Sequence, residues 1–209
     1  WPTRTTVGPS TSNGAKPPWL RWTRVRFRPT SGTQYPNCLS PPGRSAPAGP
    51  GPKLLWDTGC PRDWGYRWAP TGLQDFVPYD NVSEDEYLDS RLKQLGLAPG
   101  DIDFVVFSHL HFDHAGNAQL FKDTNAKLVC SDVEKEFAFG YEGAFSGAHL
   151  KADYEGLEFE TVSGDVEFLP GVRFIQTPGH PPRSMSLRTD LPAPGTMNFT
   201  ADAAPRGDC

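Results

Sequence analysis

Residues 108–117 read SHLHFDHAGN, a stretch that holds three of the chain's five histidines and an aspartate within six positions. The candidate side chains are His109, His111, Asp113 and His114, which have the spacing H-x-H-x-D-H. Imidazole and carboxylate groups are ligands of Zn²⁺, and a catalytic zinc site usually has three protein ligands and one open position. A polar loop after a strand is the alternative interpretation, but four candidate ligands at this spacing favour a metal site.

The histidine stretch directly follows a predicted strand. Residues 102–107, IDFVVF, form a β-branched and aromatic run of strand length. Side chains two positions apart on an extended segment point the same way, so His109 and His111 can face one ion. Asp113 and His114 lie beyond the expected bend and approach from another side. The stretch therefore has room for two metal ions.

The region 54–209 has the alternating elements of an α/β domain. Ser83 and Glu86 have the spacing of a helix capping box, and Ser131 and Glu134 repeat that spacing. The predicted elements are a strand that ends in LLWDTG at 54–59, a helix over about 84–95, a helix after residue 131, and strands at 127–130, 157–162, 166–169 and 172–176. This order predicts sheets flanked by helices.

Two further candidate ligands also follow predicted strands. His180 lies in the sequence TPGH after the strand at 172–176, and Asp202 lies in TADAA after a strand at 197–200. Alone, a histidine after Pro-Gly is more often in a surface turn, and an aspartate at a strand end is more often a helix cap. Because both residues recur at the same kind of position, they are candidates for the same site.

Four motifs in this order, LLWDTGC, SHLHFDHAGN, TPGH and TADAA, resemble those of the metallo-β-lactamase superfamily of binuclear metallohydrolases. They most resemble the N-acyl-homoserine lactonase branch, and the resemblance covers about residues 54–204. The resemblance implies a metallo-β-lactamase-like αββα sandwich. It also implies a hydrolase that opens a lactone ring by attack of a metal-bound hydroxide, the chemistry of quorum quenching. The expected partner is a small-molecule lactone or ester.

The resemblance assigns a role to each candidate residue. It implies one zinc ion on His109, His111 and His180, a second zinc on Asp113 and His114, and Asp202 as a bridge between the two. Asp113 would also carry a proton to the leaving oxygen, and Asp57 would orient the site from behind. Iron, cobalt or manganese also accept histidine and carboxylate ligands, so the identity of the metal stays open.

The sequence departs from the family at three places. Family members usually complete the second metal site with a Gly-His pair after the bridging aspartate, and the 209 residues contain none there. Lactonases tend to carry a tyrosine three residues after that aspartate, where this chain has Pro205, and TPGH is followed by Pro181-Pro182-Arg183. We therefore expect a domain truncated at its C-terminus, with a weakened second zinc site. A glyoxalase II-like thioesterase, another superfamily hydrolase such as a nuclease relative, and an inactive metal-binding chain remain alternatives.

The first 53 residues differ in composition from the rest. They hold eight Lys and Arg and no Asp or Glu, so that, with a total charge of −5, the remaining residues carry −5 − 8 = −13. They also contain half of the prolines, which disfavours packed secondary structure. The sequence thus predicts a Pro/Arg-rich irregular segment over 1–53, with one candidate strand at 22–28. Basic, aromatic segments can bind nucleic acid, but no recognised nucleic-acid fold accompanies this one, so we expect no nucleic-acid partner.

Other features of the sequence bear on protein class and location. Asp57-Thr58-Gly59 matches the turn of aspartic proteases, but a single D-T-G leaves the histidines unexplained. An aromatic segment can line an apolar pocket or form core, and consists of Phe137, Phe139, Tyr141 and Phe145. The four cysteines are scattered without a C-x-x-C pair, which favours reduced thiols and a cytoplasmic location. No run of eighteen apolar residues occurs, so no membrane span is expected, and a homodimer is left open.

Overall fold

The computed structural model describes residues 51–76, 82–179, 184–191 and 195–203, together with two short strands closer to the N-terminus. In these residues the strands are β1 Thr23–Arg24, β2 Asn37–Ser40, β3 Leu54–Trp56, β4 Phe104–Val106, β5 Lys127–Ser131, β6 Phe145–Ser146, β7 His149–Leu150, β8 Phe159–Val162, β9 Val166–Leu169, β10 Val172–Gln176, β11 Met185–Leu191 and β12 Gly195–Phe199. The helices are α1 Trp64–Trp68, α2 Leu73–Phe76, α3 Leu88–Gln94, α4 Phe112–Ala115, α5 Asp132–Gly140 and α6 Lys151–Tyr154. Short 3₁₀ turns lie at Ala69–Thr71, Pro99–Asp101, Ala118–Phe121 and Ala201–Ala203.

The first sheet is mixed and has the strand order β1-β2-β3-β4-β5-β8. Strands β1, β2 and β3 pair antiparallel, whereas β3, β4, β5 and β8 run parallel. Parallel strands are covered on both faces and therefore read as apolar runs, as LLW in β3 and FVV in β4 do. The carboxyl ends of parallel strands share one edge of a sheet, so the residues that follow β3, β4 and β5 are brought together.

The second sheet is antiparallel, with the order β12-β11-β10-β9. In β10 the side chains of Val172 and Phe174 are buried while Arg173 between them is exposed. This alternation is the pattern of a sheet with one face on the core and the other towards solvent. Asp202 follows the last strand of this sheet, so the second sheet also contributes to the edge where β3 and β4 end.

Two apolar clusters define the layers of the fold. One lies between the two sheets and consists of the buried residues Leu54, Trp56, Val106, Val129, Val172, Phe174, Met185 and Leu187. The other lies between the first sheet and the helices, and includes Leu55, Val105 and Leu128 from the sheet with Leu92 of α3, Ala138 of α5 and Tyr154 of α6. The described residues thus form successive layers of helices, first sheet and second sheet. The predicted α/β sandwich with two sheets is confirmed.

The helix predicted at 84–95 is wrong at its start. Glu86 accepts a hydrogen bond from the backbone N–H of Ser83 at 2.9 Å, as a capping residue would, but residues 84–86 form turns and α3 begins only at Leu88. The predicted end is close, because Gly96 follows with a φ of 69°, a left-handed conformation that glycine adopts without strain. The spacing of Ser83 and Glu86 therefore identified the capping motif, but it did not reveal the turn between this motif and α3.

Two short strands lie inside the segment predicted to be irregular. Only Thr23–Arg24 of the candidate strand at 22–28 is described, and it pairs with Asn37–Ser40, which in turn pairs with β3. The division between residues 1–53 and 54–209 stays a prediction. Of the cysteines, Cys60 and Cys130 are buried, while Cys209 lies outside the described residues. Within the described part of the chain, no helix has the length and apolar character needed to cross a bilayer.

A partly buried ion pair joins α1 to α6. Nη1 of Arg67 in α1 donates to Oδ1 of Asp153 in α6 at 2.8 Å and to the carbonyl oxygen of Gly116 at 2.7 Å. Burial raises the pKa of Asp153 to about 6, even though the guanidinium of Arg67 acts in the opposite direction. The ion pair therefore ties α1 and α6 to the chain just after α4.

Candidate metal centre

The turn after β3 supplies a buried carboxylate behind the site. Asp57 has a φ of 56°, which is uncommon for a residue other than glycine and is found at strained functional turns. Its carboxylate accepts hydrogen bonds from the backbone N–H of Ser108 at 2.7 Å, from Oγ of Ser108 at 2.9 Å and from Nδ1 of His114 at 3.0 Å. Asp57 thus contacts both ends of the histidine stretch, in agreement with the orienting position that the sequence suggested.

The same turn is hydrogen-bonded to the end of the histidine stretch. The backbone N–H and the hydroxyl of Thr58 both donate to the carbonyl oxygen of His114, at 2.7 and 2.8 Å. The side-chain amide of Asn117 donates to the carbonyl oxygens of Thr58, Gly59 and Cys60 at 2.8, 3.2 and 2.8 Å. Sequence reasoning assigned no role to Thr58 or Asn117, because partners more than fifty positions apart give no local signal.

Three candidate ligands converge in front of Asp57. His109, His114 and Asp202 each offer a ligand atom, and these atoms all lie within 4.8 Å of one another. Nε2 of His114 lies 3.5 Å from Oδ1 of Asp202, and Nε2 of His109 lies 3.9 Å from Oδ2 of the same carboxylate. Ligands about 2.1 Å from a tetrahedral zinc ion are about 3.4 Å apart, so this donor set fits zinc in chemistry and in spacing.

The imidazoles of His109 and His114 are held through Nδ1, the ring nitrogen that does not face Asp202. Oγ of Ser108 lies 3.0 Å from Nδ1 of His109 and 3.2 Å from Nδ1 of His114. Metal-binding histidines commonly engage the second ring nitrogen with a carboxylate or another polar group, which fixes the ring orientation. In this arrangement the Nε2 atoms of both rings are the ones directed towards Asp202.

Strand β12 is followed by a strained turn, and Asp202 lies in that turn. Ala201 has a φ of 46°, and Asp202 lies in the 3₁₀ turn that begins there. The two oxygens of its carboxylate face different imidazoles, Oδ1 towards His114 and Oδ2 towards His109. A carboxylate in this orientation can bridge two ions, which is the role predicted for it from the sequence.

Asp113 adds a further carboxylate beside His114. Its Oδ2 lies 3.6 Å from Nε2 of His114. Burial raises the pKa of Asp113, while the neighbouring His114 acts in the opposite direction. Burial alone would lower the pKa of His114, but Asp113, Asp57 and Asp202 together hold it well above its usual value. Protonation of this imidazole is therefore favoured in the metal-free chain, and a metal ion has to displace the proton.

The remaining predicted ligands lie beside this group or outside the described residues. The ring of His111 contacts that of His109 edge-on, with centroids 4.4 Å apart, but His111 does not belong to the group of three converging ligands. His180 lies outside the described residues, as does Pro205. The structure thus brings together His109, His114 and Asp202, with Asp113 at their side, and metal binding by all six candidates stays a prediction.

Two buried polar residues near His111, Glu134 and His149, were assigned no role in the metal site from the sequence. Glu134 is fully buried, and its Oε1 accepts hydrogen bonds from the N–H of Leu110 at 2.9 Å and from Nε2 of His149 at 2.8 Å. The spacing of Ser131 and Glu134 marked the start of α5, and Oγ of Ser131 accepts from the N–H of Glu134 at 3.1 Å. Nothing in that spacing indicates that the carboxylate reaches the histidine stretch.

Comparison with known proteins identifies a family for most of the chain. A family model described as the metallo-beta-lactamase superfamily matches residues 48–209. The matched region contains the turn after β3, the whole histidine stretch and the turn that holds Asp202. It therefore includes all the residues that meet at the candidate centre.

Two curated relatives are N-acyl homoserine lactonases. AiiA from Bacillus thuringiensis subsp. kurstaki is 33% identical over 123 residues, a match that covers 59% of this chain and 47% of that protein. AttM from Azorhizobium caulinodans is 33% identical over 131 residues, covering 59% and 49% of the two chains. The chain therefore spans about half the length of the curated relatives it matches.

Similar solved structures also include enzymes that act on N-acyl homoserine lactones. A quorum-quenching N-acyl homoserine lactone lactonase superposes with a TM-score of 0.62 at 27% identity, covering 81% of this chain and 60% of that one. An N-acyl homoserine lactone hydrolase, with the product N-hexanoyl-L-homoserine bound at its catalytic metal center, has a TM-score of 0.59 at 26% identity, with coverage of 78% and 60%. These proteins share the two-sheet fold described above.

Proposed function

The chain belongs to the metallo-β-lactamase superfamily, and from this premise we propose that it is a zinc-dependent hydrolase that opens the ring of N-acyl-homoserine lactones. The observation that carries the proposal is the convergence of His109, His114 and Asp202 within 4.8 Å of one another. The names of the relatives support the choice of substrate, since AiiA and AttM are both N-acyl homoserine lactonases. The corresponding biological activity is quorum quenching.

The proposed ligand scheme uses all six candidates. His109, His111 and His180 would hold one zinc ion, Asp113 and His114 would hold a second, and Asp202 would be shared by both. A bound zinc ion supplies a Lewis acid for the lactone carbonyl and lowers the pKa of water towards neutrality. The two oxygens of Asp202 face different imidazoles, which supports its bridging role.

Asp113 is the proposed proton carrier. Ring opening turns the ester oxygen of a lactone into an alcohol, and that oxygen needs a proton as it leaves. Asp113 stands at the edge of the ligand group, about one quarter exposed at its side chain, so a substrate can reach it. Its carboxylate can take up the proton that the attacking water releases and pass it to the leaving oxygen.

A cleft beside α5 is the proposed place for the acyl chain. It has a volume of about 380 Å³ and is lined by Val133, Glu136, Phe137, Gly140 and Tyr141. Phe137 contacts His149 edge-on with ring centroids 5.1 Å apart, and His149 contacts His111 with centroids 4.5 Å apart. Apolar side chains in a cleft favour an alkyl chain over a polar substituent.

The experiment compares substrates on the purified chain loaded with zinc. A pH-stat assay measures acid released from N-acyl-homoserine lactones, from a thioester and from a phosphodiester, with and without a chelator. We expect release of acid from the lactones, loss of it with the chelator and recovery with added zinc. His109→Ala should abolish the reaction, whereas Glu160→Gln, at an exposed position on β8, should retain it. Hydrolysis of the thioester alone would favour the glyoxalase II-like alternative, and inactivity on every substrate would contradict the proposal.

A further inference from the structure

A buried carboxylate on α5 holds the backbone of the metal loop, which we define as residues 108–114. Glu134 is 0% exposed, and Oε1 accepts the N–H of Leu110 at 2.9 Å. Leu110 lies between His109 and His111, so this hydrogen bond fixes the peptide that joins the two candidate ligands. The first turn of α5 is itself fixed by Oγ of Ser131, which accepts the N–H of Glu134 at 3.1 Å.

The same carboxylate oxygen holds a histidine that packs on the loop. Nε2 of His149 lies 2.8 Å from Oε1 of Glu134. The ring of His149 stands edge-on to that of His111, with centroids 4.5 Å apart and an angle of 81° between the planes. The ring of His149 also contacts the ring of Phe137, with ring centroids 5.1 Å apart. His149 therefore limits where the ring of His111 can turn.

The hairpin of β6 and β7 is fixed to the loop by its backbone as well. The N–H of Phe112 donates to the carbonyl oxygen of Ala148 at 2.9 Å. On the other side, the hydroxyl of Tyr141 donates to the carbonyl oxygen of His149 at 3.1 Å. Three successive residues, Leu110, His111 and Phe112, thus contact Glu134 or the hairpin.

Burial of this pair is costly if it serves stability alone. An ion or ion pair in the interior costs several kcal/mol in desolvation, and apolar residues of similar volume often stabilise a fold as well or better. Glu134 and His149 are both almost completely buried, at 0% and 2% exposure. Their contacts instead converge on the backbone and the ring of the metal loop.

We propose that Glu134 and His149 are positioning residues of the metal centre, which hold the Leu110 peptide and the His111 ring in the geometry that binds zinc. The proposal rests on the proposed function, since it gives these two residues a role in the same site. They touch neither the substrate nor the metal and act through their neighbours. Partners of this kind typically change metal affinity by about 10-fold to 100-fold when removed.

The variants separate hydrogen bonding from packing. Glu134→Ala removes the acceptor for both Leu110 and His149. Glu134→Gln keeps an oxygen in the same place and can accept both hydrogen bonds. His149→Phe keeps a ring against His111 and removes the donor to Glu134. The matched control is Asp132→Asn, which removes a charge from the first turn of the same helix and keeps the Glu134 carboxylate, at a cost of about 0.5 kcal/mol in stability.

Two measurements on the full chain test the proposal. The first is the dissociation constant for zinc alone, by competition with a chelator. The second is hydrogen exchange of the Leu110 amide in the metal-free protein, which does not depend on any bound ion. We expect Glu134→Ala to weaken zinc binding about 10-fold to 100-fold and to lose protection at Leu110. Glu134→Gln should remain close to wild type in both, and His149→Phe should weaken zinc binding with a smaller effect on Leu110.

The outcomes distinguish this proposal from the proposed function. Unchanged zinc affinity and unchanged protection in Glu134→Ala, or an equal loss in Asp132→Asn, would overturn the positioning role while wild-type lactone hydrolysis stood. A Glu134→Gln variant as weak as Glu134→Ala would overturn the hydrogen-bonding explanation. Wild-type protein that binds no zinc would overturn both.

Discussion

Asp57 and Ser108 determine which nitrogen of each imidazole is directed towards the ligand group. The two residues engage Nδ1 of His114, and Ser108 also lies beside Nδ1 of His109. The carboxylate of Asp57 accepts three hydrogen bonds and is almost completely buried. Loss of one acceptor therefore disturbs both histidines.

Asp57→Asn is expected to lower zinc affinity about 10-fold to 100-fold, because asparagine has one acceptor oxygen for three donors. Asparagine tolerates the left-handed backbone of this position, so backbone strain does not account for the effect. Competition with a chelator measures the affinity. The control is Asp103→Asn. The carboxylate of Asp103, just before β4, accepts a hydrogen bond from the backbone N–H of Lys53 at 2.7 Å. Equal affinities for wild type and Asp57→Asn would contradict the orienting role.

His114 is expected to be protonated in the metal-free chain at pH 7.5. The carboxylates of Asp113, Asp57 and Asp202 raise its pKa well above the usual value despite burial. Zinc and the proton compete for the same ring, so apparent zinc affinity should fall as the pH is lowered, beginning above the ordinary histidine range. Nitrogen-15 NMR of the ring reports its protonation directly. A neutral ring with a single protonated nitrogen at pH 7.5 would contradict this expectation.

Residues with a local spacing signal were predictable, and residues with distant partners were not. The H-x-H-x-D-H spacing named His109 and His114, and the position after a strand named Asp202. Thr58, Asn117 and Glu134 contact the site through partners 24 to 59 positions away in the chain. No periodicity or short motif records such contacts.

At the scale of elements, the end of α4 packs closely against the turn after β3. A methyl group added at Gly116 would lie 2.5 Å from the carbonyl oxygen of Phe112, 2.5 Å from Cδ of Pro61 and 2.8 Å from the carbonyl oxygen of Gly59. Two of these atoms belong to the backbone and cannot move cheaply. Only glycine therefore fits at this position, because a side chain would overlap these atoms.

Gly116→Ala is expected to destabilise the protein by about 3 kcal/mol, the upper part of the range for overpacked sites. Urea denaturation followed by circular dichroism measures the change. The matched control is Gly65→Ala in α1, where nothing lies within 4 Å of the added methyl group and alanine favours the helix. Stability of Gly116→Ala equal to that of Gly65→Ala would show that the two elements are not so closely packed.

Some boundaries of the predicted elements agree with the structure and others do not. The strands at 166–169 and 172–176 agree with Val166–Leu169 and Val172–Gln176, because alternation of apolar and polar residues marks a half-buried sheet. The helix at 84–95 was extended too far towards its N-terminus, since Glu86 caps a turn rather than the helix itself. The same spacing at Ser131 and Glu134 is confirmed as a helix start, because Ser131 caps α5, which begins at Asp132.

At the scale of the whole molecule, both sheets are needed for the site. The first sheet carries Asp57 and the metal loop, and the second carries Asp202. The N–H of Met185 in β11 donates to the carbonyl oxygen of Ser108 at 2.9 Å, which ties the second sheet to the loop. The order of motifs in the sequence predicted this arrangement through its family resemblance, whereas periodicity alone indicated only an α/β domain.

The pH dependence of folding should include a contribution from Asp153. Its pKa of about 6 exceeds the value of about 3.9 for an unfolded chain, so the native state holds the proton more tightly between these values. The free energy of unfolding should therefore decrease as the pH rises through this window, by about 2 kcal/mol between pH 4.5 and 7 relative to Asp153→Asn. Urea midpoints of both proteins at the two pH values measure it. A difference between wild type and variant that does not change with pH would contradict the raised pKa.

The most direct test is a crystal structure of the zinc-loaded chain with anomalous data at the zinc absorption edge. We expect a peak about 2.0–2.2 Å from Nε2 of His109 or Nε2 of His114, with an oxygen of Asp202 at a similar distance. His111 and His180 should complete the coordination of one ion, and Asp113 that of the second. No anomalous peak among His109, His114 and Asp202, in protein that binds zinc in solution, would contradict the assignment of this cluster as the metal centre.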